Sequence, residues 1–66
     1  MTKEEFIEKV YEAIREPMYA VHRPDKYIRE SIAFYDDIID DAMEQIEERG
    51  IEYAIDYAAR NISMCI

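Results

Sequence analysis

A small all-α protein is the fold class this sequence predicts, and three observations predict it. Apolar residues recur at spacings of three and four along almost the whole chain, the period of a helix with one buried face. No stretch alternates apolar and polar residues as a half-buried strand would. The ends of the apolar stripes carry helix-capping residues, so pattern and punctuation agree. The expected architecture is a three-helix protein whose long central helix forms an antiparallel hairpin with the C-terminal helix, completed by oligomerisation.

The first helix is expected over residues 3–16. Thr2 and Glu5 are spaced as a Thr-x-x-Glu capping box, with Met1 and Phe6 placed as a hydrophobic staple across it. Phe6, Ile7, Val10, Tyr11 and Ile14 then share one face. Pro17 disfavours helical geometry at Glu16, which puts the end near residue 15 or 16. Met18 and Val21 continue the stripe, so a kink at Pro17 is the alternative to a stop, and residues 17–23 form the connector.

The second helix is expected over residues 24–49, opening at Pro24, a residue suited to the first helical position. Ile28, Ile32, Tyr35, Ile39, Ala42 and Ile46 recur at alternating spacings of four and three. A continuous helix here would be roughly 38 Å long. Gly50 reads as the left-handed residue past its end, with Ile51 as the apolar partner of a Schellman motif and Arg49 in the last turn. The third helix is expected over residues 51–64, burying Ile51, Ala54, Ile55, Ala58, Ile62 and Cys65.

The apolar arc of the central helix spans roughly 160°, from Tyr27, Phe34 and Ile38 round to Ile32 and Met43. One neighbouring helix covers less than that. At 66 residues a single core rarely supplies more than about 3–5 kcal/mol. A homo-oligomer, most simply a C2 dimer, is therefore expected.

Composition removes several functions. A single glycine builds neither a P-loop nor a dinucleotide fingerprint. One cysteine, Cys65, and one histidine, His22, make no structural zinc site or disulfide framework. The longest apolar runs fall far short of the roughly 20 residues of a membrane span, and the N-terminus does not read as a signal peptide. No Ser–His–acid arrangement has a nucleophile turn. A non-enzymatic protein of the reduced cytoplasm, with no cofactor, metal or membrane partner, is the expectation.

Charge supplies the strongest functional signal. Residues 1–30 carry six Lys/Arg against seven Asp/Glu, a balance of −1, and residues 31–66 carry two against nine, a balance of −7. Asp36, Asp37, Asp40, Asp41, Glu44, Glu47 and Glu48 fill an arc of about 140° on the central helix, with no cation among them, over ~18 Å. Like charges at i,i+3 and i,i+4 each cost about 0.2–0.5 kcal/mol. Such a face repels phosphates and attracts a basic protein surface; the alternative is a solvated face that serves solubility alone. Tyr53, Tyr57, Arg60 and Met64 line the non-core side of the third helix, and these residue types favour interfaces. Asp36-Asp37-Ile38-Ile39-Asp40-Asp41 also has the spacing of a magnesium site, and with Glu5-x-x-Glu8 it is similar to the acidic pairs of all-α nucleotide pyrophosphatases. Sixteen acids produce such spacings freely, so this phosphohydrolase reading ranks last.

A second constellation gathers Tyr11, Arg15, Tyr19, His22, Arg23, Lys26, Tyr27 and Arg29 around the connector. Cations in a first turn oppose the helix dipole, and a bound phosphate would reconcile them. Aromatic rings beside them could stack on a base. The leading expectation is an inhibitor or adaptor that offers its carboxylate face to a basic, nucleic-acid-binding partner, by analogy with small acidic phage proteins that blunt host defences. The alternative is a homo-oligomer that sequesters a phosphate-bearing nucleotide at the connector.

Overall fold

Thr2 and Glu5 close the capping box from both sides. The Glu5 N–H donates to Thr2 Oγ1 at 3.2 Å, and the Thr2 N–H and hydroxyl donate to Glu5 Oε1 at 3.3 and 3.0 Å. These bonds satisfy donors that a helix start otherwise leaves without partners. Met1 stays 60% exposed while Phe6 is fully buried, so the core holds Phe6 where a staple was expected. The structure, a computed structural model, describes residues 1–15 and 22–66. Whether Pro17 ends or kinks the first helix falls outside the described residues, as does Tyr19.

Five helices follow in order: α1 (Lys3–Arg15), α2 (Asp25–Phe34), α3 (Asp36–Glu44), α4 (Ile46–Arg49) and α5 (Ile51–Cys65). No strand occurs among the described residues, so the all-α class holds. The first and last helices begin where the sequence places them. The central one does not run unbroken: residues expected as a single helix over 24–49 form α2, α3 and α4. A straight helix of roughly 38 Å would overrun a molecule whose longest dimension is 32 Å.

The main break is at Tyr35, with φ −96° and ψ 40°. Its N–H still closes α2 onto the Ser31 carbonyl at 2.9 Å, and its carbonyl accepts the Ile38 N–H at 3.0 Å to open α3. Asp36 and Asp37 then occupy a first turn, where the helix dipole favours negative charge. Gln45 is a gentler interruption. Its backbone remains near-helical (φ −87°, ψ −5°), and its N–H bonds the Ala42 carbonyl three residues back at 3.0 Å.

Gly50 serves two helices. Its N–H donates to the Ile46 carbonyl at 2.8 Å and its carbonyl accepts the Ala54 N–H at 3.2 Å. Its φ of 90° is positive as expected, but ψ is 160°. That extended, essentially glycine-only geometry replaces the expected left-handed Schellman residue.

The core joins Phe6, Val10 and Ile14 of α1 to Ile28 and Ile32 of α2, Ile39 and Ala42 of α3, and Ala54, Ala58, Ala59 and Ile62 of α5. α1 and α5 form the most extensive helix pair. Three alanines on α5 provide small side chains where helices must pack closely. The buried stripe of α5 is rotated from expectation, since Ala59 is inside and Cys65 is exposed. Tyr35, Ile38, Met43 and Ile46 pack half-buried against the core, so the broken helix turns most of its wide apolar arc inward within one chain.

Candidate functional site

The carboxylate face is partly compensated by α1, a helix distant in sequence. Lys3 Nζ reaches Asp36 Oδ1 and Asp40 Oδ1, each at 2.8 Å. Hydrogen bonds to Asp36 and then Asp40 hold the Lys3 ammonium pKa above its ordinary value. The expected arc without a cation is thus corrected: Lys3 supplies one, thirty-three residues from Asp36. Its ammonium also occupies the space between the two carboxylates that a metal reading would use. Among the described residues, no three His, Cys, Asp or Glu side chains converge to hold a metal ion.

Asp41 is occupied differently. The Tyr57 hydroxyl donates to Asp41 Oδ2 at 2.8 Å, and this bond, foremost among its surroundings, raises the phenol pKa. Tyr57 is half-buried against the core and lies 6.4 Å from Tyr53 with the rings 22° apart, a stacked pair. The Arg49 guanidinium covers the Tyr53 ring at 5.1 Å. Arg60 and Met64 are exposed on the same helix, Met64 at 81%. The predicted aromatic surface of α5 therefore stands beside the acidic one, joined to it through Tyr57 and Asp41.

Asp37, Glu44, Glu47 and Glu48 remain exposed, and none makes an ion pair with another described residue. Two of them, Glu44 and Glu48, are spaced as neighbours four residues apart across the Gln45 turn. Long-range pairing with Lys3 had no signal in the local pattern. The break at Tyr35 had one: consecutive aspartates are poor helix-interior residues and good first-turn residues.

At the connector, much of the predicted cluster is engaged by the protein itself. Arg29 pairs with Glu8 of α1 and with Asp25 at 3.4 Å, and its guanidinium lies 4.1 Å over the Tyr11 ring. The hydrogen bond from Arg29 lowers the Glu8 carboxyl pKa. Lys26 sits 3.9 Å from Glu30. Arg15 donates to the Arg23 carbonyl at 3.4 Å and stands 5.9 Å from the centre of Tyr11. Arg23 covers Tyr27 at 5.0 Å, and His22 is exposed. The cation–aromatic contacts tie α1 to the start of α2 and consume ring faces that a base would need.

Phe34 was expected at the edge of the buried arc, and it is 77% exposed. It meets Tyr35 edge-on, with ring centroids 4.9 Å apart and planes at 82°. Together with Tyr27 and Ile66 these rings border an open groove of about 300 Å³. The Tyr35 phenol pKa is raised by burial first and by the neighbouring Cys65 thiol second. No described helix is long and apolar enough to cross a membrane. Comparison with protein-family models, curated proteins and solved structures finds no match.

Proposed function

We propose that this chain is a non-enzymatic interaction protein, an inhibitor or adaptor that offers an acidic helical side to a basic partner surface. The observation that carries this reading is the set Asp37, Glu44, Glu47 and Glu48: exposed, on adjoining helices, and without ion pairs among the described residues. The α3–α5 segment contains nine carboxylates and two arginines, which gives its surroundings a negative potential. Such a potential accelerates encounter with a positive surface and penalises wrong partners. The Tyr53, Arg60 and Met64 side of α5 adjoins it and contributes aromatic and flexible apolar contacts. A partner that itself binds nucleic acid is the kind of basic surface the carboxylates fit.

The test compares wild type with a variant carrying Asp37→Asn, Glu44→Gln and Glu48→Gln. Each is immobilised and challenged with a cell lysate at low and moderate salt. The expected result is that wild type retains basic proteins which the variant loses, with retention falling as salt rises. An identical retained set, held equally across salt, would leave the carboxylates without a binding role.

A further inference from the structure

Two carboxylates of the acidic side already hold a cation, and that cation is the protein's own. Lys3 Nζ lies 2.8 Å from Asp36 Oδ1 and 2.8 Å from Asp40 Oδ1. The two aspartates stand four residues apart on α3 and so share one face of it. Glu44, four residues further along the same row, is exposed and makes no ion pair among the described residues. Released from Lys3, Asp36 and Asp40 would join Glu44 in one open row of carboxylates ~12 Å long. With Lys3 in place, only the Glu44 end of that row is open.

The start of α1 has other anchors. The Thr2–Glu5 capping box closes the helix, and Phe6, Val10 and Ile14 fix it in the core. The side chains of Lys3, Asp36 and Asp40 are 41%, 50% and 58% exposed. Ion pairs this open to water contribute little to stability and weaken with salt, so the ammonium can leave at small cost. A cation from outside can reach the two aspartates only by competing with it. We infer that Lys3 is an internal competitor: it occupies the seat on Asp36 and Asp40 that a lysine or arginine of the basic partner takes, and the partner gains those two carboxylates by displacing it. This rests on the acidic-partner reading above and adds its regulation. Any change that removes the Lys3 charge, such as acylation of its amine, raises affinity for a cationic surface.

The probe is fluorescein-labelled decalysine, read by anisotropy against the full chain at low salt. Lys3→Gln is compared with Lys9→Gln, which removes the same charge from the same helix at an exposed residue with no ion pair among the described residues. Lys3→Gln should tighten binding at least threefold more than Lys9→Gln does. Lys3→Arg, which keeps a cation, should bind within twofold of wild type. Asp36→Asn with Asp40→Asn should weaken binding less than twofold in wild type and at least threefold in the Lys3→Gln background, a coupling that net charge alone does not produce. Helical circular dichroism should be the same for all of these chains. If Lys3→Gln and Lys9→Gln have equal effects, or Lys3→Gln weakens binding, Lys3 is not a competitor; the acidic-partner reading then survives if Asp37→Asn, Glu44→Gln and Glu48→Gln together still weaken it. A Lys3→Gln chain that loses helicity would make the contact a structural tie, which also overturns the inference. If decalysine binds none of these proteins, or all of them alike, both readings are wrong.

Discussion

Arg29 illustrates how a residue that looks like a ligand contact can be a structural tie. Its guanidinium spans Glu8, Asp25 and the face of Tyr11, linking α1 to the start of α2. Arg23, by comparison, covers the Tyr27 ring and makes no ion pair among the described residues. Arg29→Ala should therefore lower the melting temperature clearly, and Arg23→Ala should leave it nearly unchanged; equal effects would show that the tie is not formed. The Glu8 side of this pair has a pH signature. Its folded pKa lies below the ordinary 4.5, so the stabilisation is present above that value and lost as pH falls through the lower, folded one. The melting-temperature difference between wild type and Glu8→Gln should be visible at pH 7 and shrink progressively as the pH is lowered below 4.5. Ser63 is the converse case, a buried hydroxyl oxygen with no hydrogen-bond partner among the described residues. Ser63→Ala should leave stability unchanged or raise it, since it removes an unsatisfied polar atom.

Helix boundaries were legible where capping residues and apolar period agreed. Thr2 and Glu5 announce α1, and Gly50 separates α4 from α5 at the expected residue. The break at Tyr35 had one local signal, the aspartates after it, and the helical rhythm of Ile28, Ile32, Tyr35 and Ile39 across it outweighs that signal. What overrides that rhythm is tertiary: α2 packs on α1, while α3 packs on both α1 and α5. Gly50 carries the sharpest element-scale prediction. A Cβ there would meet no atom within 4 Å, so only the backbone geometry of φ 90° and ψ 160° demands glycine. Gly50→Ala should cost about 1–3 kcal/mol in urea unfolding. A chemically synthesised chain with D-alanine at the same position should recover that loss. If both substitutions destabilise equally, crowding rather than backbone conformation is responsible.

For the whole molecule, the break at Tyr35 decides how much of the wide apolar arc a single chain buries. Bending at Tyr35 wraps Ile28, Ile32, Ile39 and Ala42 round α1 and α5, so one chain buries them. The charge asymmetry was readable at once, because it is a property of composition. Its distribution was not: Lys3 and Tyr57 meet Asp36, Asp40 and Asp41 only through the fold. The remaining acids repel one another, at about 0.2–0.5 kcal/mol for a pair spaced like Glu44 and Glu48. The variant with Asp37→Asn, Glu44→Gln and Glu48→Gln should accordingly melt higher than wild type at low salt, with the gap closing as salt screens the charges. A lower melting temperature would mean that these carboxylates are already compensated.

That stability gain is expected whether the carboxylates serve a partner or solubility alone; the association rate separates the two. Stopped-flow mixing of the most strongly retained basic protein with wild type and with the triple variant, over a range of salt, measures it most directly. A carboxylate side that steers its partner predicts association at least several-fold slower for the variant and a visibly flatter dependence on salt. Equal rates and equal salt slopes for the two proteins would contradict it.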